Sequence, residues 1–243
     1  MIKKILLFIV ISFILTSCSN YKEYKISFKA FSSDINVTLY TRDSKDAKNA
    51  LNDIKNIYFK YDNLIKQYKE GNIDKKLKNI IKMINDLSEN NKYIKSKNDK
   101  KLIKLGIKAL ANNEVYEYLK NKGISKFFIN LNGDIISGYP NNKEYFLVGI
   151  SNYFDDSITK MVKLKNEYVV TKNIQEVSKQ NEIKDGNLSI TIITKDIKNG
   201  DFIALSIISM KSDDAIEYIK NNNIKAILYY YKNGDKKTYI NID

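Results

Sequence analysis

From Ser44 onward apolar residues recur at steps of three and four. Ala47, Ala50, Leu51, Ile54, Ile57, Tyr58 and Tyr61 form one stripe, as a helix with one face on a core requires. Ser44 stands as its N-cap with Asp46 in the first turn, and Gly71 breaks it. Leu77, Ile80, Ile81, Ile84 and Leu87 repeat the pattern in a second helix that Asn90 and Asn91 end. A third helix from near Asp99 to Lys122 turns Leu102, Leu105, Ala109, Tyr116 and Leu119 inward and Lys101, Lys104 and Lys108 outward, where lysines at helical spacing read as a solvated face.

Between and after these helices the period drops to two. Ile35–Leu39 alternates as a half-buried strand, with Phe28 and Phe31 ahead of it. After Gly123 the burst Phe127-Phe128-Ile129 reads as a buried strand, and Asn132-Gly133-Asp134 forces a tight turn into the next one. Tyr145–Ile150 is a near-continuous apolar strand, followed by shorter ones at Ile158–Leu164 and Glu167–Thr171 and an alternating one at Leu188–Thr194. Gly200-Asp201 opens a helix, Asp214–Asn221 is the last helix, and Ala226–Tyr231 and Lys237–Ile242 flank the turn Asn233-Gly234 as a closing hairpin. The order is mixed α and β, an α+β class, in one domain.

The N-terminus departs from this pattern. Lys3 and Lys4 precede an apolar run, Ile5–Leu15, that is shorter than the ~20 residues a membrane span needs, so the run reads as a secretory signal. It ends in Leu15-Thr16-Ser17-Cys18, which resembles a bacterial lipobox: Cys18 is acylated and becomes the new N-terminus. Residues 1–17 are then a lipoprotein signal peptide, 18–25 a lipidated tether and 26–243 the folded domain. The expected location is a bacterial cell membrane, facing outside the cytoplasm in the periplasm or on the cell surface, with membrane lipid as a partner through Cys18. Cys18 is the only cysteine, so the chain holds no internal disulfide.

Composition narrows the chemistry. The net charge of +13 raises nucleic acid as a partner, but Arg42 is the only arginine and the lysines are spread along the chain, so nucleic acid is not expected. No histidine occurs, which removes imidazole base catalysis and effectively excludes zinc; carboxylates, lysines, hydroxyls or a hard oxygen-bound metal are left.

Several segments together resemble the FAD:protein FMN transferases, the ApbE-type flavin transferases. Ile129–Ile135 reads INLNGDI against the family's Ile-Asn-Leu-Gly-Gly-Asp-Ile, with Asn132 for the first glycine. Lys108 and Ala111 fall on Lys-Gly-Tyr-Ala-x-Asp, Ser33 on the threonine of Met-Gly-Thr, and Thr171 on the hydroxyl of Ala-Thr-Ser-Gly, where Lys172 and Asn173 displace Ser and Gly. Tyr145–Ile150 resembles Trp-x-Val-Gly-Ile and Leu188–Thr194 resembles Ser-Val-Thr-Val. Asp201 falls on the aspartate of Ala-Asp-Ala-x-Ala-Thr-Ala, whose threonine one turn on shares a Mg²⁺ with it; here that position is Leu205. The family's His-Ile-Ile-Asp-Pro-x-Thr-Gly loop has no counterpart in Ile174–Asn187.

The resemblance implies a single mixed α/β domain of the flavin-transferase fold. It implies FAD and Mg as cofactors, with FMN passed to Thr or Ser of a membrane redox protein as acceptor. Lys108, Asn130, Asn132, Gly133, Asp134 and Thr171 become the cofactor-binding candidates and Asp201 the metal ligand; no catalytic residue is assigned. An inactive flavin-binding or scaffold lipoprotein of the same fold is the alternative.

Overall fold

The computed structural model describes residues 21–89, 100–155, 157–174 and 185–242, the side chains of residues 76, 86–89 and 101 excepted. In chain order these are β1 (Lys22–Ala30), β2 (Ser33–Thr41), α1 (Ser44–Glu70), α2 (Lys75–Glu89), α3 (Lys100–Asn121), β3 (Phe127–Leu131), β4 (Asp134–Ser137), β5 (Phe146–Ser151), β6 (Ile158–Leu164), β7 (Tyr168–Asn173), β8 (Gly186–Thr194), α4 (Ile197–Ile208), α5 (Ser212–Asn221), β9 (Lys225–Lys232) and β10 (Asp235–Asn241). Eight strands make one antiparallel sheet in the order β1-β2-β3-β4-β7-β8-β9-β10, and β5 and β6 pair separately. The α+β class expected from the sequence holds, and β3 and β8 lie in one sheet with α4 packed across β7 and β8.

Three layers explain the burial patterns. The helices cover one face of the sheet, enclosing a large core that takes Ile35, Val37 and Leu39 from β2, Ile129 from β3, Tyr168 and Val170 from β7 and Ile190 and Ile192 from β8. A smaller core on the other face joins Ile135, Val169 and Ile193 of the sheet to Ile150 of β5 and Val162 and Leu164 of β6. Strands β4 and β8 are therefore buried on both faces and lose the two-residue alternation of a solvated strand.

Several boundaries differ from the sequence expectation. Strand β1 begins at Lys22 and pairs along its whole length with β2, so Lys22–Lys25 belong to the sheet and not to a tether. The cap of α1 is Asp43, whose carboxylate accepts from the backbone N–H groups of Lys45 and Asp46, while Ser44 is already helical. Helix α4 starts at Ile197, capped by Asp196; Asp201 therefore sits inside the helix with no orphan N–H to serve. Strand β5 is half-exposed, with Leu147 59% accessible, because among the described residues β6 is its one strand neighbour. Leu87, Asn90-Asn91, Asp99, Cys18 and the signal lie outside the described residues or side chains.

Asn132 and Gly133, both at positive φ (54° and 107°), join β3 to β4 in the two-residue turn that suits right-twisted strands. At the far end of β4, Gly138 passes so close to the chain that an added Cβ would lie 2.3 Å from the Ser125 carbonyl oxygen. Backbone on both sides cannot retreat cheaply. Gly138→Ala is expected to destabilise the fold by about 2 kcal/mol or more, read as a lowered urea midpoint with an unchanged slope.

Candidate functional site

A cleft of about 590 Å³ opens where the β3–β4 turn, the exposed side of α3 and the ends of β7 and β8 converge. Asn132, Gly133, Asp134, Thr171, Lys104 and Lys108 stand on its wall. Ser33 and Phe31, from the positive-φ turn joining β1 to β2, and Tyr153, just past β5, close it from the other sides. Lys104 and Lys108 of α3 thus face the cleft, and of the two readings of Lys108, solvated face or cofactor-binding candidate, the structure sets aside the first: its side chain is only 18% exposed.

At the floor lies an ionic network that reaches into the core. Asp134, the first residue of β4, accepts from the backbone N–H of Thr171 through Oδ1 at 3.0 Å and from Lys108 through Oδ2 at 2.7 Å. Lys172 Nζ lies 3.5 Å from the same Oδ2 and 2.8 Å from Asp201 Oδ1. The second contact is off the line of a hydrogen bond, so it acts chiefly through charge. Asp201 Oδ2 accepts from Tyr168 Oη at 2.8 Å, Tyr168 accepts from Asn112 Nδ2 at 3.1 Å, and Asn112 Oδ1 accepts from Tyr58 Oη at 3.3 Å. The chain of donors runs from α1 through α3 and β7 to α4.

The strand period explains who meets whom. Tyr168, Val170 and Lys172 are two apart on β7 and share its helix-facing side, so Lys172 is carried inward with core residues. Thr171 points to the opposite side, where its hydroxyl pairs with that of Thr191 at 2.9 Å, its register partner on β8. Lys172 and Asp201 side chains are each 1% exposed. Among the described residues, two carboxylates and two ammonium groups meet here, so each deep charge has an opposite partner.

The fields follow the geometry. Burial pushes the Asp134 carboxyl upward, but Lys172, Lys108 and the Thr171 N–H together outweigh it and hold the group below the usual carboxylate range. Burial first, and then the neighbouring Asp201 and Asp134 carboxylates, push Tyr168 well above the ordinary phenol value, so it stays a neutral donor.

Of the residues expected from the sequence, the structure brings Lys108, Asn132, Gly133, Asp134 and Thr171 together on the cleft. Asn130 instead turns back to accept from the Gly133 N–H at 3.0 Å and so secures the turn. Asp201 lies behind Lys172, fully buried. Its surroundings do not fit a divalent metal. The residue one turn further along α4 is Leu205, an ammonium already faces the carboxylate, and no group of three or more acidic or cysteine side chains able to hold a metal occurs among the described residues.

Lys172, Tyr168 and Asn112 were not singled out from the sequence as site residues. Their signal is polar residues on apolar faces: Lys172 continues the inward period of Tyr168 and Val170, and Asn112 interrupts the stripe between Ala109 and Val115.

A family model described as ApbE family matches residues 43–228. Among solved structures, the flavin transferase ApbE from Vibrio cholerae is similar with a TM-score of 0.69 at 12% identity, covering 90% of this chain and 97% of that one. The Pseudomonas stutzeri flavinyl transferase ApbE in apo form gives 0.67 at 11% identity, covering 90% and 94%. The ApbE protein from Thermotoga maritima gives 0.59 at 13%, covering 90% and 97%. At these identities the likeness is one of fold. No curated protein matches the chain in sequence.

Asp134→Asn leaves the Lys108 and Lys172 ammonium groups facing each other without their shared counter-charge and is expected to cost about 3–5 kcal/mol. Because the folded pKa is depressed, the wild-type contribution is present above the unfolded value near ~4 and is lost as pH falls through the folded value. Urea midpoints measured against pH should converge for the two proteins in acid; midpoints that stay equally far apart at every pH would contradict this assignment.

Proposed function

The chain belongs to the ApbE family, and from that premise we propose that it is a lipoprotein, held through Cys18 outside the bacterial cytoplasm, whose cleft binds FAD but passes on FMN slowly or not at all. The observation that carries this reading is the ionic network beneath the cleft, in which Asp134 engages both Lys108 and Lys172 and Asp201 engages Lys172. Family membership and the fold shared with the Vibrio cholerae and Pseudomonas stutzeri flavin transferases support the flavin part.

The cleft suits such a ligand. Its volume falls within the ~300–1,000 Å³ typical of small-molecule sites. Phe31 and Tyr153 offer apolar ring surface on one side, while Lys104 and Lys108 offer positive charge to a diphosphate on the other. Thr171 and the Asn132-Gly133 turn supply hydroxyl and close backbone approach.

Transfer asks for more than binding. Breaking a diphosphate bond needs positive charge that strengthens its grip as charge develops on the departing phosphate, and most of the rate comes from such preorganised groups. Here the Lys172 charge is spent on two buried carboxylates, and the Asp201 carboxylate fits no metal. What remains is a site that holds a flavin nucleotide with little means of cleaving it.

Titration of the full chain with FAD, followed by flavin fluorescence, should show saturable binding. Lys108→Met should weaken it by on the order of tenfold, the loss of one charge-assisted contact. In parallel, a threonine-containing acceptor peptide should gain no FMN mass beyond the enzyme-free control. Multiple-turnover transfer would overturn the binding reading in favour of an active transferase, and absence of any FAD binding would leave only a scaffold. For the anchor, mass spectrometry of the protein from bacterial membranes should find acylated Cys18 at the N-terminus; a chain still beginning at Met1 would contradict it.

A further inference from the structure

We infer that the Lys172 ammonium is the resident cation of this site, a tethered replacement for a divalent metal, and that the cleft therefore takes its ligand without Mg²⁺. The metal half stands on the geometry alone; the ligand half rests on the flavin reading above.

The argument begins with Asp201. One of its oxygens is taken by the Tyr168 hydroxyl at 2.8 Å and the other faces Lys172 at 2.8 Å, so neither is turned toward open space. The ammonium lies within 3.5 Å of a second carboxylate, Asp134, and is almost wholly withdrawn from solvent at the cleft floor, with its side chain 1% exposed. This is the environment a small hard cation would seek: two anionic oxygens from different elements, out of bulk water. A lysine already fills it.

A divalent ion could enter only by displacing that ammonium or by lying against it. Displacement would break its contacts with Asp201 and Asp134 and leave a buried ammonium without either counter-charge. Lying against it would bring like charges together at low dielectric, where their repulsion is least screened. Leu205, one turn from Asp201 and 3% exposed, adds methyl groups where a further oxygen would be needed. Mg²⁺ also demands near-octahedral oxygen coordination, whereas Asp201 is met by an ammonium on one side and by Leu205 one turn along its own helix.

The exchange has a physical consequence. A tethered ammonium supplies one positive charge that does not dissociate and does not depend on metal supply, so the electrostatics of the cleft floor are fixed by the fold. Two substitutions should reopen the position. Lys172→Ser removes the charge and leaves a hydroxyl, and Leu205→Thr places an oxygen one turn from Asp201.

The test uses Mn²⁺ as a spectroscopic stand-in for Mg²⁺, with free Mn²⁺ counted by electron paramagnetic resonance during titration of the full chain. The wild type should take up no stoichiometric Mn²⁺. The double variant Lys172→Ser/Leu205→Thr should gain one ion, bound more tightly than by wild type by on the order of tenfold or more, and should lose it again when Asp201→Asn is added. One stoichiometric Mn²⁺ in the wild type overturns the proposal whether or not the variants fold. So does a folded double variant that binds Mn²⁺ no better than wild type. In the same samples, wild-type FAD affinity should be unchanged between EDTA and Mg²⁺; a Mg²⁺-dependent rise would overturn the proposal. Failure of FAD to bind under either condition would sink the flavin reading and leave the Mn²⁺ result to judge Lys172.

Discussion

A lysine in the interior of a sheet-and-helix core is tolerable only where opposite charges meet it, and the contact of Lys172 with Asp201 and Asp134 is the constraint around which this site is arranged. It binds α4 to β7 and β7 to β4. Through Tyr168 and Asn112 the same network reaches α3 and α1, so one chain of polar contacts crosses the helical layer and ends at the cleft. Apolar burial on both faces of β7 and β8 supplies the driving force that offsets the desolvation of four charged groups.

Among the described residues the network pairs two carboxylates with two ammonium groups, which leaves no excess negative charge to draw a further cation. Lys108 stands at the boundary: it is paired to Asp134 at 2.7 Å yet still lines the cleft, so it is the member of the network best placed to answer an anionic ligand. Position on the strand decides this division. Lys172 and Thr171 are adjacent in sequence, but the period of two sends one into the helical core and the other toward Thr191.

Much of this was legible in the sequence because the signals were local. Helix α1 announces itself by spacing, the β3–β4 turn by Asn132-Gly133, and β9–β10 by Asn233-Gly234. Where the expectation failed, a distant partner decided the outcome. Lys108 sits among outward lysines, and nothing within its own helix shows that Asp134 lies across from it. Asp201 reads as the start of a helix until Asp196, five residues earlier, is seen to cap it. Strand β1 is too polar at Lys22–Lys25 to be recognised alone and becomes a strand because β2 offers it a full register. The ion pair of Lys172 with Asp201 joins residues on different elements, which no periodicity reports.

The most direct measurement is a crystal structure of the wild-type chain grown with FAD and excess Mn²⁺, with anomalous scattering recorded at the manganese edge. The account predicts Lys172 Nζ in place between Asp201 and Asp134, near the 2.8 Å and 3.5 Å separations described here, and no anomalous peak beside Asp201. A manganese peak ~2.1 Å from Asp201 Oδ1, with the lysine displaced, would contradict it.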